Sequence, residues 1–396
     1  MLLTLTILCF FYNGVHGTAS LEIDMKLKAL NKPAMKTIKS EDGDIIYCVD
    51  IYKQPAFDHP ALRNHKLQMK PSMELGSRET NSPNDGSSKL VTSQIWTQSG
   101  QCPVGTIPIR RVSREDISRT SSPSSFGRKP PHIYNTLEKA HQHKANTNST
   151  AGKKHNPRPK NRSEAMFFAV GSNYLGAQTN INVWNPSGVQ KSDYSSAQMW
   201  LLAGDQSEMS EVIEAGWMYL VSIILTLMLY LGPCFQDLQS KNWWLASHDN
   251  VYGYWPSAIF KHLPQGATAV QWGGEVYSRN VRKKPHTKTP MGSGESPIQL
   301  FGKACYHTFI RIKDASMQPK YPMPLAEFSD ENQCYTTILH KETNVSEPAS
   351  SSSDLPTRPI RSSEPKPPSK VFFFFSSFCL INFPFTISPH RSYCRS

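Results

Sequence analysis

The chain has 396 residues, 38% of them hydrophobic, with 30 prolines and a formal net charge of +12. That length accommodates two ordinary domains, but the low apolar share and the Ser- and Pro-rich stretches exclude a chain that is packed core throughout. The positive balance is concentrated in residues 128–162, which hold almost no acid. With no helix-turn-helix, zinc-finger or RNA-binding signature beside it, the run reads as solvated linker, and no nucleic-acid partner is expected.

In chain order, residues 1–17 (MLLTLTILCFFYNGVHG) are an apolar run ending in the small-residue site Val15-His16-Gly17. This is the pattern of a secretory signal peptide, so the mature chain is expected to begin near Thr18 and to be secreted, into the cell wall or apoplast. Eight cysteines are present, and Cys9 leaves with the signal. In an oxidising compartment Cys48 and Cys102, alone together in the front part, are natural disulfide partners. Such a bridge would stabilise a small front domain by about 3–4 kcal/mol on loop-closure reasoning. Three glycosylation sequons, at Asn148, Asn161 and Asn344, agree with secretion.

Residues 18–115 alternate short apolar stretches with Gly, Pro and Asp punctuation and form one small domain. Residues 116–162 are a basic, disordered linker and the expected first site of proteolysis. Its His141, His143 and His155 keep no ligand spacing with Cys or acid, so no metal or other cofactor is expected. From 163 to 342 short apolar or alternating segments separated by turn clusters, such as Asn185-Pro186-Ser187-Gly188, predict an all-β antiparallel sandwich. Residues 343–396 read as a disordered, low-complexity tail with a second apolar block at 371–386.

One segment breaks the pattern. Residues 215–235 carry no charge and are long enough to span a bilayer. They have three readings: a spanning helix, a substitute core strand or helix, or sequence from a mis-called exon boundary. A spanning helix would put the residues on either side of it, Glu214 among them, on opposite sides of a membrane from the rest of the domain, so a membrane partner is not expected. The third reading is favoured, because sandwich-like motifs resume in order after a foreign stretch at about 218–240.

Several motifs follow one another in a fixed order. The front part has Asp58-His59-Pro60, Gln94-Ile95-Trp96 and Cys102-Pro103-Val104-Gly105-Thr106. The back part has Asn182-Val183-Trp184, Glu214-Ala215-Gly216-Trp217, Asn242-Trp243-Trp244, Gly253-Tyr254-Trp255-Pro256 and Trp272-Gly273-Gly274-Glu275. Taken together they resemble the plant neprosin family, an activation peptide followed by a glutamic peptidase domain, over roughly 28–112 and 163–334. The resemblance implies a secreted endopeptidase that cuts proline-containing polypeptides after proline, with the chain's own propeptide as inhibitor and Glu214 and Glu275 as the catalytic pair. Two carboxyls suffice for the chemistry. The ionised one takes a proton from the attacking water, and the neutral one donates to the scissile carbonyl or leaving amine.

The two glutamates, 61 positions apart, are expected to face each other across one concave sheet face. Trp217 and Trp272 have two readings, as stacking surfaces for a prolyl ring and as ordinary core. Family members carry further strands and a short disulfide loop where the apolar run stands here, and Cys334 lacks its usual partner. The chain is therefore expected to be weakly active or inactive. The competing reading is a non-enzymatic secreted wall or binding protein on the same sandwich.

Overall fold

The computed structural model describes residues 20–41, 43–72, 95–118, 161–184, 186–204, 211–219, 227–247, 250–300, 303–340 and 380–381. The signal segment, most of the linker, and the sequons at Asn148 and Asn344 lie outside them. The front domain is a helix over residues 20–30 followed by strands β1 (Lys36–Lys39), β2 (Ile45–Asp50) and β3 (Thr106–Arg110) in one antiparallel sheet. Its core is small, with Ile38, Ile46, Cys48 and Trp96 in one cluster and Val49, Ile51 and Ile107 in another. Cys48 and Cys102 are disulfide-bonded with their Cα atoms 5.4 Å apart.

The bridge closes a loop of 54 residues, which loop-closure entropy values at about 4 kcal/mol. A core of this size contributes little beyond that. Cys48→Ala/Cys102→Ala is therefore expected to unfold the front domain at 37 °C while leaving the sandwich transition in place. A single unchanged transition in calorimetry would contradict it.

The back part is a sandwich of two antiparallel sheets. Its strands are β4 (Arg162–Tyr174), β5 (Gly176–Val183), β6 (Tyr194–Ala203), β7 (Glu211–Tyr219), β8 (Leu227–Gln236), β9 (Trp243–Ser247), β10 (Asn250–Trp255), β11 (Ala267–Tyr277), β12 (His307–Lys313), β13 (Pro319–Lys320), β14 (Ala326–Ser329) and β15 (Leu380–Ile381). The larger sheet runs β13-β12-β5-β8-β9-β10-β15 and the smaller runs β14-β4-β11-β6-β7. Alternation sets the layers. From the smaller sheet Met199, Leu201, Ala215, Trp217, Val270 and Trp272 point inward. They meet Ile181, Cys234, Trp243, Leu245, Trp255 and Ile310 of the larger one.

Three boundaries differ from the sequence reading. Part of the apolar segment lies in sheet. β8 lies between β5 and β9, paired with Gly176–Val183 on one side and with Leu245, Trp244 and Trp243 on the other. A central strand has neighbours on both edges, so continuous apolar sequence suits it as well as it suits a membrane helix. No helix among the described residues is long and apolar enough to cross a membrane. The linker is shorter than expected, because Arg114–Ser118 is helical and Arg162 already opens β4. Finally, two residues of the tail, Leu380–Ile381, pair with β10.

The front domain docks on the outer face of the larger sheet. Ala56 and Leu62 pack with Phe235, Trp244, Ala246 and Tyr254. Trp244 is thus interface and Trp243 is core. Polar contacts surround the patch. His65 Nε2 lies 2.8 Å from Tyr254 Oη, the Gln68 N–H donates to that oxygen at 2.9 Å, and Asn242 Nδ2 donates to Gln68 Oε1 at 2.8 Å. Asp237 Oδ2 accepts from Gln68 Nε2 at 3.0 Å and from the Ser72 N–H at 2.9 Å.

Acid should loosen this latch in two steps. Burial holds His65 below its ordinary value of 6.5. The docked form therefore disfavours the imidazolium, and docking weakens as pH falls through about 6.5. Burial alone would raise Asp237, but hydrogen bonds from Ser72, Gln68 and Ser240 outweigh it and depress the carboxyl to about 2. Its contribution is full above the ordinary 3.8 and is lost from there toward about 2. After linker cleavage, gel filtration at pH 7, 5 and 3 should show the front fragment retained, partly released and largely released. Equal retention at all three values would refute the latch.

Candidate active site

The outer face of the smaller sheet carries the chemistry. Cross-strand partners point to the same side of a sheet, so the register reads out three rows. Glu164, Glu275, Ser196 and Met218 form the first. Met166, Gly273, Gln198 and Gly216 form the second, and Phe168, Gln271, Trp200 and Glu214 the third. Glu214 and Glu275 therefore share one face, with β6 between them and one row intervening. Strand spacing alone puts their Cα atoms about 16 Å apart along the diagonal.

The floor between them is made of Gly273, Gln198 and Gly216. A Cβ on Gly216 would lie 2.3 Å from the Ala197 carbonyl oxygen, and one on Gly273 would lie 2.3 Å from that of Ala165. Only glycine lets the neighbouring strands close up here. Gln198 is buried between them, and its Nε2 has no hydrogen-bond partner among the described residues.

The two carboxyls have different surroundings. Glu275 is 3% exposed; its Oε1 accepts from Arg162 Nη1 at 3.0 Å and from the Tyr194 hydroxyl. Burial by itself would lower the Arg162 guanidinium, but the charges of Glu275, Tyr194, Glu214 and Glu164 outweigh it and hold Arg162 above its ordinary value. Burial, with Glu275 and Glu214 adding to it, pushes the Tyr194 phenol well up, so it stays a neutral donor. Glu164, fully buried, sits directly opposite Glu275 across β4 and β11. Like charges so placed are destabilising unless compensated, and Arg162 is the compensating charge. Glu214 is half-buried, accepts from Trp200 Nε1 at 3.1 Å, and makes no ion pair among the described residues.

Not every predicted residue joins the site. Trp217 and Trp272 lie on the opposite, inward face of their strands, 2% and 0% exposed. They are core, and the Trp217 indole donates to the Asn182 carbonyl at 3.0 Å. The indole on the glutamate face is Trp200. Sequence reasoning also passed over Arg162, Glu164, Tyr194 and Gln198. The period-2 alternation of Tyr194, Ser196, Gln198 and Trp200 against Ala197, Met199 and Leu201 was the signal for the last two. Asn161 is half-buried at the mouth of β4, and Ser163 of its sequon is fully buried. A separate cavity of about 400 Å³ lies behind β11, lined by Ala165, Ala197, Gly274, Met291 and His307. Burial lowers that histidine to about 4.

Comparison with protein families gives two matches. The model described as the neprosin activation peptide matches residues 37–158, and the one described as neprosin matches residues 232–350. The second match begins inside β8, so it takes in Glu275 and leaves Glu214 outside.

Proposed function

The chain belongs to the neprosin family, and from that premise we propose that it is the latent precursor of a secreted glutamic endopeptidase that cuts after proline with Glu214 and Glu275. The observation that carries the reading is the presence of both carboxyls on one sheet face, over a glycine floor, in unlike electrostatic settings. Arg162 and the Tyr194 hydroxyl favour the ionised form of Glu275, which makes it the group that takes a proton from water. Glu214, with one indole donor and no cation in contact, supplies the proton to the leaving amine. The Gln198 amide lies between them, where a donor could meet the oxygen on which charge develops.

Latency follows from burial. At 3% exposure Glu275 is out of reach of a polypeptide in this form, so activity requires that its surroundings open. Secretion is supported by the Cys48–Cys102 bridge, which persists in oxidising compartments. The described residues of the front domain that touch the sandwich do so on the larger sheet. Their inhibitory role, if exerted through them, acts from that side. Among the described residues β7 is an edge strand beside β6, where an extended substrate can add alongside.

The test is a proline-containing peptide offered to the intact chain and to the chain nicked within 119–160, at pH 3 to 7, a range bracketing the reference carboxyl value of about 4.3. Slow cleavage after proline by the nicked chain alone is expected. A nicked chain that binds but never cleaves would favour the non-enzymatic reading.

A further inference from the structure

Behind the Arg162–Glu275 pair, the loop after β11 meets the turn after β14. Arg282 Nη2 donates to the Arg162 carbonyl at 2.6 Å and pairs with Asp330 at 3.1 Å. At this junction His286 Nε2, a carboxylate oxygen of Glu331 and Cys334 Sγ all lie within 4.8 Å of one another. One turn presents two of them, because the Cys334 N–H donates to the Glu331 carbonyl at 2.8 Å and so brings side chains i and i+3 together.

The hydrogen bonding around the histidine leaves a gap that a cation fills. His286 Nδ1 is 2.9 Å from the Thr287 carbonyl, an acceptor only, so Nδ1 carries the hydrogen. In neutral imidazole Nε2 then bears a lone pair, yet it faces Glu331 Oε1, another acceptor, at 3.2 Å. Oε1 already accepts from the Arg282 N–H at 3.1 Å, while Glu331 Oε2 is buried with no hydrogen-bond partner among the described residues. Two lone pairs aimed at each other beside an unsatisfied carboxylate oxygen call for a positive centre between them. A proton would serve for His286 and Glu331 but would leave the adjacent thiol unexplained.

We propose that His286 Nε2, the Glu331 carboxylate and the Cys334 thiolate form a three-ligand site for a borderline divalent cation of the zinc class. Mixed N, O and S donors suit zinc rather than magnesium or calcium. The Nδ1–H to carbonyl bond is the outer contact that fixes the tautomer of a metal-bound histidine. Of the three, Cys334 borders the cavity of about 400 Å³, so a fourth ligand would enter from the cysteine side. Binding expels the thiol proton, and no bond other than S–H breaks. The ion would fasten the loop carrying Arg282 to the turn carrying Asp330, in contact with the Arg162 backbone.

The experiment uses untagged, full-length protein with the Cys48–Cys102 bridge intact and Cys334 free, titrated with cobalt(II) and then zinc(II). One equivalent of cobalt should give a thiolate-to-metal charge-transfer band, which zinc abolishes. Cys334→Ser should lose the band and His286→Ala should weaken binding more than about tenfold, each with an unchanged unfolding temperature in the absence of metal. Zinc should raise that temperature in the parent chain and not in Cys334→Ser. Absence of the band, its persistence in Cys334→Ser, or a disulfide at Cys334 in non-reducing peptide maps would each overturn the site. All of these readouts are of binding, so they stand apart from the peptidase reading.

Discussion

Replacing Glu275 with Gln in the nicked chain is expected to reduce cleavage of a proline peptide at least about 10²–10⁴-fold, the range over which a positioned acid or base contributes. The amide keeps the shape and can still accept from Tyr194, but it cannot take a proton from water. Glu214→Gln should lose activity by a similar factor, because an amide cannot deliver the proton that the leaving amine needs. The double variant should be little worse than either single one, since residues acting as a unit are not additive. Glu211→Gln is the control. It also lies on β7, but its carboxylate is engaged by the backbone N–H groups of Lys261, His262 and Leu263, so it should lower stability and leave the pH profile in place. Equal activity in Glu275→Gln and the parent chain would remove Glu275 from the mechanism.

Arg162→Leu is expected to cost about 3–5 kcal/mol of sandwich stability, the usual penalty for stripping one partner from a buried pair. For a domain of this size that is a fall of roughly 6–20 °C in the unfolding temperature. The cost comes from what is left behind. Glu275 would remain buried, directly opposite Glu164, without the Arg162 guanidinium that it pairs with at 3.0 Å. Arg162→Leu/Glu275→Leu should therefore recover part of the loss, because it removes Glu275, one of the two facing like charges, together with its partner. If the double variant is as unstable as the single one, lost packing of the arginine stem explains the effect and the electrostatic account fails. Activity should vanish in both, which separates stability from chemistry.

Much of this protein was legible before any coordinates. The antiparallel sandwich follows from short alternating strands between turn clusters, because a period of two is a local property. The Cys48–Cys102 pairing follows from there being two cysteines in the front domain. Glu214 and Glu275 stood out through the motifs around them, and the family matches later reported the same kinship over two stretches of the chain.

What the sequence left open was decided by pairing between distant strands. The stretch at about 218–240 read as foreign because the motifs resume in order after an apolar, uncharged run; hydropathy does not record how many neighbours a segment will have, and with β5 and β9 on either side residues 227–236 lie in central sheet. Trp217 and Trp272 turned inward while Trp200 turned to the glutamates, a choice set by register, since a one-residue slip exchanges the two faces of a strand. Arg162 looked like the end of a basic linker until β4 laid it beside a glutamate 113 positions away. His286, Glu331 and Cys334 carry no shared spacing that a motif could record. They meet because the loop after β11 and the turn after β14 are held together by Arg282, a contact that exists only once β11 and β14 have both paired with β4.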